Sequence, residues 1–125
     1  MADSPATGVD VVVTGPGEGE RLDRGNRVIT ILADLPQLSV NEISFDETFE
    51  VQPHTHTDHV DAFYVLDGEV EFALEGRTVR AGPGTLVAAP PGALHGFRRA
   101  GHGRARVLNL HAPDAGFAES LRRRP

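Results

Sequence analysis

A chain of 125 residues supports one domain and one core, burying roughly two-thirds of the surface its unfolded form exposes. It has no cysteine, and all 12 basic residues are arginine, so disulfides, thiolate metal sites, a cysteine nucleophile and Schiff-base or P-loop lysine chemistry are excluded. A formal charge of −6 argues against nonspecific nucleic-acid binding, no run approaches the roughly 20 apolar residues of a membrane span, and the first residues lack a secretory signal pattern, so a cytoplasmic protein is expected.

The 14 glycines and 9 prolines punctuate the chain often and favour short strands over long helices. Residues 1–8 are small and polar and are expected to be flexible. A β-branched run at 9–13 is followed by a glycine-rich loop at 15–19. Continuous apolar stretches at 28–33 and 38–45 read as buried strands, and 49–56 leads into a histidine pair. Residues 61–66 and 69–74, joined by Asp67-Gly68, read as a hairpin. Short strands follow at 78–81 and 85–89, then a segment at 93–99 carrying His95, a tip at Gly101-His102-Gly103, and a last strand at 104–111. Pro113-Asp114 resembles a helix start, with Asp114 as N-cap, and Phe117 and Leu121 share one face of a helix at about 114–123. The expectation is a single domain over 9–125, with a barrel or sandwich core at about 28–112.

The informative constellation is His54-Thr55-His56, then Asp61, then His95. Side chains alternate along a strand, so His54 and His56 point the same way and can grip one ion. Any metal here must be held by imidazole, carboxylate or water, because thiolate is absent.

Two segments resemble the motifs of the cupin superfamily. The first family motif runs His-x-His, three or four residues, Glu, six residues, Gly. The chain reads His54-Thr55-His56, four residues, Asp61, six residues, Gly68. The second runs Gly, five residues, Pro-x-Gly, two residues, His, three residues, Asn. The chain reads Gly84, TLVAA, Pro90-Pro91-Gly92, Ala93-Leu94, His95, GFR, Arg99. The match covers about residues 54–99, and FYVLDGEVEF and AGPGTLVAAPPGALHGF look most like quercetin-dioxygenase-type small cupins. The resemblance implies an all-β double-stranded β-helix, a jelly-roll barrel with a central pocket. It implies that His54, His56 and His95 bind one divalent ion (Fe, Mn, Ni, Cu or Zn) with Asp61 in the place of Glu. It also implies a homodimer.

Two departures bear on the chemistry. Asp61 is one methylene shorter than Glu, and direct ligation, ligation through water and a place outside the coordination are all open. Arg99 stands where the family has Asn; turned inward it would favour a carboxylate or phenolate ligand, and turned outward it is a solvated residue beside the hairpin tip.

Candidate pocket residues are Gln52, Phe63, Val65, Phe72, Phe97 and Arg99, with Leu86 as a further wall. Gln52 shares the His54 face unless Pro53 introduces a bulge. Tyr64 is expected to pack on the other face; His59 could replace Asp61 as a ligand but, like His102, is expected to be exposed. His111 is expected to end the last strand outside the site, although with Val107 and Asn109 it could line the barrel. The Arg122-Arg123-Arg124 run reads as a solvated helix end.

The functional expectation is a metal-dependent small-molecule enzyme of oxygenase type. Its rival is a non-enzymatic module that binds or senses a metal or small ligand. A small-molecule partner and a second copy of the chain are expected, and nucleic acid and membrane are not. Residues 9–13 and 28–33 could add strands to a partner's sheet.

Overall fold

A computed structural model describes residues 5–124. Residues 1–4, half of the segment expected to be flexible, lie outside the described residues. The described chain forms ten strands and one helix: β1 (Glu20–Asp23), β2 (Arg27–Leu35), β3 (Leu38–Phe45), β4 (Glu50–His54), β5 (Val60–Asp67), β6 (Glu69–Leu74), β7 (Arg77–Ala81), β8 (Leu86–Ala89), β9 (His95–Ala100), β10 (Ala105–Ala112) and α1 (Phe117–Arg123).

A six-stranded sheet runs β1-β2-β3-β10-β5-β8 and a four-stranded sheet runs β4-β9-β6-β7, with every pairing antiparallel. Packed face to face, they make the double-stranded β-helix, with a short helix at its C-terminal end. No helix among the described residues is long and apolar enough to cross a membrane.

The alternation of the strands explains both the core and the site. On β3, Ser39, Asn41, Ile43 and Phe45 are buried and their neighbours are not; on β10, Ala105, Val107, Asn109 and His111 are. The inward face therefore changes character along the barrel. One end is apolar, with Phe45, Val65, Val70, Phe72 and Val107 buried and Phe97 edge-on to Phe45 at 5.4 Å. The other end carries Ser39, Asn41, Asp61, His95, Asn109 and His111, all buried. Burying polar groups costs free energy unless they are paired, so this end is arranged for a purpose other than packing.

Four features differ from the sequence expectation. β1 precedes the expected core; its ERLD sequence is charged, and only Leu22 turns inward against the core. Residues 28–33 lie inside β2 beside β3, and 28–31 are paired on the other side with β1, so that stretch offers no free edge. Leu86 faces out, because the inward positions of β8 are Val87 and Ala89, and Tyr64 is 40% exposed. The helix begins three residues later than expected. Asp114 Oδ1 accepts a hydrogen bond from the Gly116 N–H at 3.1 Å, which closes a turn ahead of the helix, and Gly116 takes the N-cap position at φ 78°.

Candidate metal centre

Strand pairing assembles the site from four segments. In the β4–β9 ladder His54 stands directly opposite His95. In the β5–β10 ladder Asp61 stands opposite His111, with Asn109 the next inward position on β10. His56 lies two residues beyond the end of β4.

The approach of β4 to β9 depends on Gly96. The ladder shifts register between Val51 and His54, and the bulged backbone presses onto Gly96. A Cβ there would come within 2.5 Å of the Val51 carbonyl oxygen and 2.7 Å of the Pro53 nitrogen, so only hydrogen fits. The same bulge turns Gln52 out to solvent, which removes it from the pocket.

The histidine tautomers follow from their backbone contacts. His54 Nδ1 donates to the Gln52 carbonyl at 2.9 Å, and His95 Nδ1 donates to the Ala93 carbonyl at 2.9 Å. A carbonyl only accepts, so each Nδ1 carries the proton and each Nε2 presents a lone pair. These lone pairs converge. His54 Nε2 is 3.0 Å from His56 Nε2, His95 Nε2 is 3.0 Å from Asp61 Oδ2, and His56 Nε2 is 3.4 Å from Asp61 Oδ2. Acceptors held this close repel unless they share a cation, either a proton or a metal ion. Two donors each about 2.1 Å from one ion stand about 3.0 Å apart at a right angle and about 3.4 Å apart at the tetrahedral angle. The donor set of His54, His56, Asp61 and His95, whose ligand atoms all lie within 4.8 Å of one another, fits one divalent ion.

Asp61 divides its two oxygens between two tasks. Oδ2 faces His56 and His95, while Oδ1 accepts from Asn109 Nδ2 at 2.7 Å and lies 3.2 Å from His111 Nε2. Burial pushes its carboxyl up, but the hydrogen bond and charge of His111, with the hydrogen bonds of Asn109 and, in the metal-free protein, of a His95 that keeps a proton on Nε2, outweigh burial and hold it at about 2. His56 is pushed below the ordinary imidazole value, first by burial and then by the neighbouring charge of His59. Near neutrality the carboxylate is therefore ionised and His56 neutral, the states in which both ligate.

Two histidines expected outside the site belong beside it. His59 is buried; its Nδ1 is 2.8 Å from Asp58 Oδ1, its ring centroid lies 4.2 Å from that of His56, and its Nε2 has no partner. The loop between β4 and β5 folds inward, which nothing in its local sequence signals. His111 is buried too, with Nε2 toward Asp61 and Nδ1 without a partner. Its signal was available: His111, Asn109 and Val107 share the inward face of one strand.

The cluster opens into a cavity of about 270 Å³. Phe63 and Phe97, both expected, line it, together with Ile29, Ile43, Phe49 and Val51, and α1 closes one side with Phe117 and Leu121. Val65 and Phe72 do not line it; they are fully buried behind the wall in the apolar core. Arg99 is not in the cavity either. It shares the inward face of β9 with His95, but four residues of strand carry it about 13 Å away. There its guanidinium donates to the Gly101 and Gly103 carbonyls at 2.7 and 3.0 Å and holds the β9–β10 turn. The arginines that do line the cavity are Arg27 and, from the run expected to be solvated, Arg124.

Comparison with known proteins agrees with this architecture. The cupin domain family model matches residues 43–111, more than half of the chain. A quercetin 2,3-dioxygenase from Bacillus subtilis is 27% identical over 90 residues, covering 69% of this chain, and the chain spans only 27% of that relative's length. KdgF from a Halomonas species superposes with a TM-score of 0.74 at 28% identity, covering 81% of this chain and 92% of that one. An RmlC-like cupin from Shewanella frigidimarina superposes with a TM-score of 0.74 at 21% identity, covering 85% and 94% of the two chains, a likeness of fold. The barrel, its converging histidines and the family match agree, and the chain belongs to the cupin domain family.

Proposed function

We propose that the chain is a metal-dependent enzyme of dioxygenase type, acting on a small molecule held inside the barrel. The observation that carries this reading is the convergence of three imidazole Nε2 atoms and one carboxylate oxygen at the polar end of a cavity with apolar walls. His54, His56, Asp61 and His95 would hold the ion at the polar end of the cavity, where a small molecule bound against the apolar walls would lie beside it. A bound Fe, Mn, Ni or Cu ion would supply redox and Lewis-acid chemistry there. The protein's own contribution is placement. The Gln52 and Ala93 carbonyls fix two imidazoles, Asn109 and His111 fix the carboxylate, and the phenylalanine-lined walls exclude water. Similarity to the quercetin 2,3-dioxygenase supports the reaction class over the part of that protein that this chain spans.

The test is elemental analysis of protein purified without chelator or nickel affinity, with His54→Ala and His95→Ala beside it, followed by O2-uptake assays on small phenols and diketones. A near-stoichiometric redox metal, lost in both variants, and substrate-dependent O2 uptake are expected. Metal binding without turnover would leave a binding module. No metal, even after reloading, would overturn the reading.

A further inference from the structure

Arg27 opens β2 on the inward face that continues through Ile29 and Ile31, and it lines the same cavity as the histidines. Most arginines of this chain are exposed and engaged at the surface: Arg80 pairs with Glu69, Arg98 with Glu71, and Arg122 with Glu20 and Asp34. Arg27 differs. Among the described residues no carboxylate lies within ion-pair distance of it. Its Nη1 donates to the neutral Asn26 Oδ1 at 3.2 Å, and its Cζ stands 5.1 Å from the centroid of the Phe49 ring, which serves as a platform. A guanidinium on an apolar wall, with donors unused and an aromatic face beneath it, is built to take a planar anion.

The position of Arg27 adds a constraint. Arg27 stands opposite Phe45 in the β2–β3 ladder, whereas His111 stands opposite Ser39 in the β3–β10 ladder. The guanidinium and the His/Asp cluster thus enter the cavity at different levels, with Ile29 and Ile43 between them. Among the described residues Asp61 is the one carboxylate on the cavity wall, and it is engaged at the cluster end by His95, His111 and Asn109. Arg124 brings a second cation to the lining from the end of α1, where Arg24 holds its carbonyl at 2.6 Å. In a chain of net charge −6, both basic residues that line the cavity among the described residues, Arg27 and Arg124, are arginines.

We propose that Arg27 is a specificity-determining residue that binds the carboxylate of a small organic acid. The apolar body of that acid lies along Ile29, Ile43 and Phe97, and its other end reaches the His54–His56–Asp61–His95 cluster. Only the far end of this ligand rests on the reading of that cluster as a metal centre. The ligand class is an aryl or branched-alkyl acid small enough for about 270 Å³. The role an inward Arg99 would have had, capture of an anion, falls in this proposal to a residue on another strand.

The test is a fluorine NMR titration of 3-(4-fluorophenyl)propionate and its uncharged amide into zinc-loaded and metal-free protein near pH 8. The variants are Arg27→Gln, Arg27→Lys and, as a charge-matched surface control, Arg77→Gln. The wild type should prefer the acid about tenfold or more over the amide. Arg27→Gln should erase that preference and leave amide binding unchanged, Arg27→Lys should keep part of it, and Arg77→Gln should keep all of it. The amide reports whether each variant retains its folded cavity. The metal-free arm separates this inference from the reading of the metal centre, because dependence on Arg27 in that arm needs no ion. An acid preference that survives Arg27→Gln, or no acid preference in the wild type, would overturn the proposal; a preference present only with zinc and indifferent to Arg27 would assign the anion to the ion.

Discussion

The Asn109 amide donates to Asp61 Oδ1 at 2.7 Å and, with His111 at 3.2 Å from the same oxygen, leaves Oδ2 to face His56 and His95. Asn109 also donates to the Ala62 carbonyl at 3.1 Å, so its own orientation is fixed from the backbone of β5. Removing it leaves Asp61 Oδ1 with His111 alone and frees the carboxylate to rotate. Asn109→Ala should therefore weaken metal affinity by about 10- to 100-fold while the four ligands remain in place. Competition with a chelating dye measures this directly. Unchanged affinity would mean that Asp61 is oriented without Asn109, or does not ligate.

Gly96 makes a different kind of contribution, through absence of bulk. Its missing Cβ admits the β4 bulge that sets His54 opposite His95. Gly96→Ala puts a methyl group into the β4 backbone at residues 51–53 and should cost about 2–3 kcal/mol of stability, with metal affinity falling further than the stability loss alone explains. Gly82→Ala is the matched control. A Cβ there meets nothing within 4 Å, so the substitution should be neutral or stabilising by up to about 1 kcal/mol. Urea denaturation of the metal-free forms gives both numbers. Equal effects at the two positions would remove Gly96 from this account.

These two residues also mark how far the sequence could be read. Strand alternation, turn signals and the spacing of His54, His56, Asp61 and His95 are local patterns, and the structure brings those four side chains together. What stayed hidden depends on register and on the reach of long side chains. A single bulge turned Gln52 outward, an offset of one residue put Val87 rather than Leu86 inside, and four residues of strand carried Arg99 to the wrong end of the barrel. The burial of His59 arises from a loop folding back, and the place of Arg27 from a ladder between β2 and β3 that no local motif encodes. Tertiary pairing, not propensity, decided each of these.

The charge state of Asp61 ties stability to pH in a definite direction. Its carboxyl lies at about 2 in the fold against 3.8 ordinarily, so the ionised form is the favoured one in the native state. The stabilisation is complete above the ordinary value and is lost as pH falls from about 4 through about 2. The two values correspond to on the order of 2 kcal/mol. Denaturant titrations of the metal-free protein should show wild type losing about that much more than Asp61→Asn across this window. Parallel curves for the two proteins would show that the carboxylate gains nothing from its neighbours.

The N-terminal valines carry the last prediction. Val9, Val11 and Val13 alternate along the chain and are 78%, 84% and 85% exposed, ahead of Thr14, whose hydroxyl donates to the Leu32 carbonyl at 2.7 Å and fixes the segment to β2. These valines of an unpaired segment bury little in the single chain, yet each is worth about 1.5 kcal/mol or more when fully covered. A second copy is expected to cover them: β1, β4, β7 and β8 end their sheets with one side unpaired, and an extended segment can add to such an edge. Light scattering should show the wild type as a dimer and the Val11→Asp, Val13→Asp double variant as a monomer with the barrel still folded. A wild type that is monomeric at the highest concentration tested would sink this prediction and leave the valines to another partner.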